Sequence, residues 1–439
     1  MKIEPFQVVR TSATSCPAAV GQRTFFYLRR HDPANPSFSL VTQVLLAGPL
    51  DHRRLETSIR ELTQRHSVFR TRLEEVERGV VRQYVIPCER APAVALPVTD
   101  LSTLAPDEQK IAQHAIVEQL RVGHDLDAGS VLRCHAIVLG ADRIVLALSI
   151  HHAAGDGAAV RLFFDELARL YVGSAGDDDP LCFIDFADSL ARWTQSPGGQ
   201  AERAYWRDRL ADAPRLELPH DHPREAVDAR RDAVPFGLVG EPMSQLTESY
   251  SESERSGAAR IASELGMHAS AVYLAGVAHV LHGLTGQSDL CIEAAHNQRM
   301  GRRGLECIHG TFGTGRVMRI DASGSPSWPE LARRTKEVVY DAYRRSWVPI
   351  TDLAPHWIRR VLFNYLPQNM KQEYEFAPNV RATPIATPFS AQWNRHWDLQ
   401  FLVRDTFRKI DLFYNTKLFE RTTARMILDR FIELIRSSA

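Results

Sequence analysis

Apolar and polar positions along this chain follow two rhythms, and the change from one to the other is sharpest in the middle of its first half. Residues 144–150 are apolar apart from Ser149, and the run is too short for a typical helix, so it reads as a buried strand. From Val160 the apolar positions recur at helical spacing, through Phe163, Phe164, Leu167, Leu170 and Tyr171, with Arg161, Asp165, Glu166 and Arg169 between them. His151-His152-Ala153-Ala154-Gly155-Asp156-Gly157 is therefore a tight strand-to-helix loop. Similar punctuation recurs elsewhere. Residues 41–47 read as a strand ended by Gly48-Pro49, and Asp51 is placed to cap a helix carrying Leu55, Ile59 and Leu62. Residues 107–120 read as a helix, and residues 131–139 and 143–150 as a hairpin. Further on come a long helix from Ser270, a strand at 290–295, a capping box at Ser327-Trp328-Pro329-Glu330 and an amphipathic helix through Met426, Phe431 and Ile435. Residues 22–28 form a first helix with core aromatics, and residues 1–16 are irregular and only partly docked.

Composition narrows the class. A length of 439 residues suffices for two lobes, each with its own core. The small, polar stretch 173–180 is the best linker, which sets the lobes at 1–176 and 177–439. Lys+Arg and Asp+Glu number 53 each, so no basic field points to nucleic acid or an anionic membrane. Cys16, Cys88, Cys134, Cys182, Cys291 and Cys307 are scattered, which favours reduced thiols over a disulfide framework or zinc site. The N-terminus lacks the apolar core of a signal peptide, and no run reaches the ~18 apolar residues of a membrane helix. A cytoplasmic, unanchored protein is expected.

No metal is expected either. Asp177-Asp178-Asp179 reads as a solvated loop, because no other oxygen ligands lie close in sequence. His220-Asp221-His222 is a loop with no further ligand at structural-zinc spacing. The glycines around Gly310 precede a strand without the Lys-Ser/Thr of a phosphate loop, so they let backbone approach a narrow channel.

The candidate chemistry sits in the loop. Pinned between two packed elements, an imidazole is held in one rotamer, as a base or hydrogen-bond acceptor must be. The segment His151-His152-x-x-x-Asp156-Gly157 resembles the signature of the condensation-domain superfamily, found in nonribosomal peptide synthetases and related carrier- and coenzyme-A-dependent acyltransferases. Other blocks resemble the family in the same order. Arg65-His66-Ser67-Val68-Phe69-Arg70-Thr71-Arg72-Leu73 is similar to Arg-His-x-x-Leu-Arg-Thr-x-Phe, with Phe69 and Leu73 as apolar swaps. His124-Asp125-Leu126 resembles Phe-Asp-Leu, Phe183-Ile184-Asp185-Phe186-Ala187 resembles Tyr-x-Asp-Phe-Ala, and Gly310-Thr311-Phe312-Gly313-Thr314 resembles a Gly-x-Phe-x-Asn block with Thr for Asn.

The resemblance implies an α/β (α+β) fold of two chloramphenicol-acetyltransferase-like lobes in a V-shaped pseudo-dimer, with an active-site tunnel between them. It implies a condensation enzyme of nonribosomal peptide or hybrid polyketide biosynthesis, expected to be free-standing because the sequence shows no carrier Gly-Gly-x-Ser, adenylation domain or thioesterase elbow. Such an enzyme takes an acyl group from the phosphopantetheine thioester of a carrier protein acting in trans, and passes it to a small amine or alcohol, forming an amide or ester. No bound cofactor is implied beyond the carrier's phosphopantetheine arm, and a monomer is expected. His152 would deprotonate or orient the nucleophile or hold its developing charge, while His151 packs, Asp156 anchors the loop, and Gly157 permits the turn and offers its N–H. Gly310, Phe312 and Thr314 would bind substrate. Arg65, Arg70 and Arg299 are salt-bridge candidates, with one of Arg65 and Arg70 expected on Asp156. The paired histidines argue against heterocyclising members, and no Asp-Phe-Gly-Trp-Gly block of plant- or polyketide-type acyltransferases occurs. A coenzyme-A-dependent acyltransferase and a non-catalytic carrier-docking member are the alternatives.

Overall fold

The computed structural model describes residues 6–33, 35, 38–174, 180–234, 241–299, 302–350, 353, 360–366, 373–385 and 397–437. The strands are β1 (Ser15–Pro17), β2 (Ser39–Ala47), β3 (Thr71–Glu77), β4 (Val80–Val85), β5 (Val98–Asp100), β6 (Leu132–Gly140), β7 (Arg143–His151), β8 (Met243–Ser249), β9 (Asp289–Asn297), β10 (Gly313–Asp321), β11 (Val361–Leu366), β12 (Tyr374–Ala377), β13 (Val380–Ile385), β14 (Leu399–Arg404) and β15 (Lys409–Asn415). The helices are α1 (Val20–His31), α2 (His52–Arg65), α3 (Pro106–Leu120), α4 (Gly157–Val172), α5 (Phe183–Gln195), α6 (Pro197–Leu210), α7 (Glu225–Asp232), α8 (Glu252–Glu264), α9 (Ala269–Thr285), α10 (Trp328–Arg344) and α11 (Arg421–Arg436).

Two mixed sheets of six strands carry the molecule, in the orders β12-β13-β2-β7-β6-β5 and β10-β9-β11-β14-β15-β8. β7 lies inside the first sheet and is buried on both faces, which is why its sequence shows no alternation. Its inner face packs Leu146, Leu148 and Ile150 with Phe163, Phe164 and Leu167 of α4 and Leu55, Ile59 and Leu62 of α2. The opposite face is covered by Val117 and Leu120 of α3. Both ends of α4 are fixed by local chemistry: Asp156 caps the N-terminus by accepting from the Ala159 N–H, and Gly173 closes the C-terminus in the left-handed conformation. Asp51 caps α2, accepting from the Arg53 and Arg54 N–H groups. In the second sheet, α9 is buried almost all round between the strands and α10 and α11.

The division expected at 176/177 falls outside the described residues, as does the Asp177–Asp179 triplet. Packing crosses that line. Phe183, Phe186 and Leu190 of α5, with Leu305, Ile308, Phe312 and Trp347, belong to the first core. β13 pairs antiparallel with β2 over residues 381–385, so a late hairpin completes the first sheet.

Gly48 shows how tight that crossing is. It has φ +132°, and a Cβ built there would sit 2.0 Å from the Asn379 carbonyl oxygen in the β12–β13 turn. Gly48→Ala should therefore destabilise the protein by about 1–3 kcal/mol, read as a lower urea midpoint. Gly283, exposed within α9 with open space around it, is the control. Gly283→Ala should raise the midpoint, by up to about 1 kcal/mol in stability.

Candidate functional site

The two histidines that β7 delivers meet different surroundings. His151 is buried, its N–H bonded to the Val131 carbonyl. Its Nδ1 accepts from the Ala153 N–H at 3.1 Å, which puts the ring proton on Nε2. Across from it lies His124, ring centroids 5.7 Å apart, whose Nε2 is 2.9 Å from Ser149 Oγ. Burial pushes His151 well below the ordinary histidine value and His124 down to about 4. His152 is only half-buried. Its N–H is fixed on the Phe38 carbonyl at 2.7 Å, and its ring lies flat on Phe25 of α1, centroids 4.2 Å apart and planes within 8°. Desolvation lowers His152 to about 4, against the opposing pull of the Asp156 charge, so its imidazole is neutral at pH 7.

Asp156 is the junction of the site. Its carboxylate takes Arg299 Nη1 at 2.6 and 2.5 Å on its two oxygens, the Ala159 N–H at 3.0 Å and the Phe312 N–H at 3.0 Å. Arg299 Nη2 in turn donates to the Ile308 and Gly310 carbonyls at 2.8 and 3.0 Å. The guanidinium lies 4.0 Å from the Phe312 ring centroid. Neither side chain is more than 8% exposed.

Arg299 thus takes the place expected for Arg65 or Arg70. Arg65 lies 3.2 Å from Glu166 Oε1, and Arg70 donates to the Ile86 and Gln64 carbonyls. The reason is axial distance. The C-terminus of α2 meets α4 at Glu166, ten residues and roughly 15 Å beyond the Asp156 cap.

The glycine-rich block also differs from expectation. Phe312 is fully buried against Phe186 and Phe183, so it serves through its backbone N–H and not as a channel wall. A Cβ on Gly310 would fall 2.1 Å from the Phe183 ring, and one on Gly315 would fall 1.7 Å from Glu293 Oε1. The close approaches made by these two glycines are therefore to the protein's own side chains. Thr314 is half-buried and takes a 3.3 Å contact from Arg316 Nη1. Gly157, also half-buried, opens α4.

Three features were not singled out from the sequence: the Phe25 stack, the contact of Glu166 with His66 and His309, and the buried Glu202. Glu202 accepts the Trp347 and Val348 N–H groups at 2.8 and 2.7 Å. Burial raises Glu202 and lowers neighbouring Arg316 to about 10. Partners a hundred or more positions away leave no local spacing to read. Among the described residues, no helix is long and apolar enough to cross a membrane.

A paired-histidine loop anchored by an ion pair, set on two mixed sheets, defines the chloramphenicol-acetyltransferase-like class. The condensation-domain family model matches residues 13–439, and the chain belongs to that family. Tyrocidine synthase 3 of Brevibacillus parabrevis is 26% identical over 434 residues, spanning 96% of this chain and 6% of that protein. Chondramide synthase cmdD of Chondromyces crocatus is 28% identical over 428 residues, spanning 93% of this chain and 10% of that protein. The chain thus spans a small fraction of the length of these relatives. Among solved structures, the condensation domain of the Monacolin K polyketide synthase MokA aligns with TM-score 0.75 and 19% identity, covering 97% of each chain. The X-domain from teicoplanin biosynthesis aligns with TM-score 0.76 and 22% identity, covering 98% of this chain and 96% of its own.

Asp156→Asn should cost about 3–5 kcal/mol in urea unfolding at pH 7, because it strands a buried guanidinium. The double variant Asp156→Leu/Arg299→Met should recover part of that loss. A second expectation concerns acid. His124 and His152 have folded pKa values near 4 against about 6.5 unfolded, so between those values the unfolded chain binds more protons. Their contribution to stability is fully present above about pH 6.5 and is lost as pH falls towards 4. His124→Phe should shallow the stability-versus-pH slope in that window by about one proton.

Proposed function

We propose that the chain is a condensation enzyme, moving an acyl group from a carrier-bound phosphopantetheine thioester to an amine or hydroxyl acceptor. The observation that carries this reading is the neutral, half-buried His152, its ring held flat on Phe25 beside a loop that the Asp156–Arg299 pair locks. In the proposed step the acceptor's nitrogen or oxygen attacks the thioester carbonyl, the carbon–sulfur bond breaks, and the acceptor's proton ends on the departing thiol.

The low pKa favours an orienting role for His152 over that of a full proton carrier. An imidazole of pKa near 4 is about three units below pH 7, so holding a full proton there costs roughly 4 kcal/mol. His152 therefore acts by accepting a hydrogen bond from the nucleophile and orienting it, and holding both substrates together supplies most of the acceleration. Phe25 and Asp156 are positioning residues, acting through the ring plane and the loop.

The test is intact-protein mass spectrometry of an acyl-loaded carrier mixed with the chain and a panel of amines and alcohols. Acyl loss with acceptor-linked product is expected, and His152→Ala should lower the rate by about 10²-fold or more. Turnover with acyl-coenzyme A but not with the carrier would instead assign a coenzyme-A-dependent acyltransferase. Carrier binding without turnover of either donor would assign a docking role.

A further inference from the structure

Three residues far apart in sequence converge at the middle of α4. His66 follows the end of α2, Glu166 lies in the middle of α4, and His309 sits in the connection between β9 and β10. Glu166 Oε2 is 2.7 Å from His66 Nε2 and 3.0 Å from His309 Nε2. The two rings are 4.1 Å apart, centroid to centroid. His66 is 2% exposed, His309 1% and Glu166 7%. Among the described residues this is the one place where ligand atoms of three His, Cys, Asp or Glu side chains all lie within 4.8 Å of one another.

We propose that His66, Glu166 and His309 form a binding site for a divalent ion of the zinc class, joining α2, α4 and the β9–β10 connection. Two imidazoles and one carboxylate are a donor set such ions take, with a fourth position left for water. Metal–ligand bonds of about 2.0–2.1 Å in a tetrahedron place ligand atoms about 3.3 Å apart. The observed 2.7 and 3.0 Å separations would need to open by only about 0.3–0.6 Å, within reach of small side-chain rotations.

Protonation states support the site. Burial holds His309 down to about 4, and its two histidine partners keep Glu166 well below the carboxylate range, so the ring is neutral and the carboxylate ionised at neutral pH. Neither His66 Nδ1 nor His309 Nδ1 has a hydrogen-bond partner. Without an ion each Nε2–H donates to Glu166 Oε2; binding an ion displaces these two hydrogen bonds, the ring protons move to Nδ1, and the Nε2 lone pairs turn to the ion. Arg65 engages Glu166 Oε1, leaving Oε2 as the ligand atom.

The test uses the full chain on a Cys88→Ser/Cys307→Ser background, since those two thiols are exposed and would bind metal themselves. The protein is stripped with chelator and titrated with Zn²⁺ and with Co²⁺ alone. One equivalent should bind, Co²⁺ should give the visible absorption of a four-coordinate site, and Zn²⁺ should raise Tm. His309→Gln keeps a hydrogen bond to Glu166, and it should weaken Zn²⁺ binding at least as much as the about 10- to 100-fold that losing a supporting partner costs. X-ray absorption of the wild-type zinc adduct should show two imidazoles, and this readout stands even where a variant fails to fold. No stoichiometric ion, equal affinity in His309→Gln, or a different imidazole count would each overturn the proposal and leave a triad of hydrogen bonds only.

Discussion

A buried carboxylate facing a buried guanidinium holds this structure's working parts in register. Asp156 caps α4, pairs with Arg299 and takes the N–H of Phe312 just ahead of β10, so one side chain ties three segments that are 143 and 156 positions from it or directly adjacent. Taking two charges out of water is expensive, and the pair is sustained by the further bonds around it: Arg299 also binds the Ile308 and Gly310 carbonyls and stacks on Phe312. Removing either partner of such a pair leaves the other as a buried, uncompensated charge. The histidine loop is tied through Asp156 to α4, Arg299 and the Phe312 N–H.

Desolvation does the complementary work. His151, His124 and His152 all lie below the ordinary histidine range, and burial is the first cause for each. They differ in access. His151 spends its Nδ1 on the Ala153 N–H and is fully buried, whereas His152 is half-buried with its ring stacked on Phe25. Adjacent residues at the end of a strand point to opposite faces, so one histidine supports the loop while its neighbour presents a neutral ring.

Local signals in the sequence were reliable where the physics is local. The strand–loop–helix unit, the Asp51 cap, the hairpin of β6 and β7, and the long α9 follow from periodicity, turn residues and capping chemistry within a few positions. Long-range pairing was not legible. One of the two arginines near an apolar strand start was expected on Asp156, and the packing of α2 on the middle of α4 gives that place to Arg299 instead. Phe312 was expected to face substrate because its block resembles one that does, yet an aromatic beside glycines is equally suited to the core it occupies. The Glu202 cradle for the Trp347 and Val348 N–H groups has no sequence signature at all.

The late hairpin of β12 and β13 sets a timetable. β2 is made early, but its partner on one side is β13, which ends at residue 385. At about 5–20 residues per second, a nascent chain would carry an open β2 edge for roughly 20 to 70 s. Unpaired edges recruit other strands, so this interval is when the protein is most exposed to mispairing on the ribosome. The same topology means that the first sheet cannot be isolated by cutting the chain after α4. A fragment ending there would lack two of six strands and would present β2 as a sticky edge where the intact protein pairs it with β13.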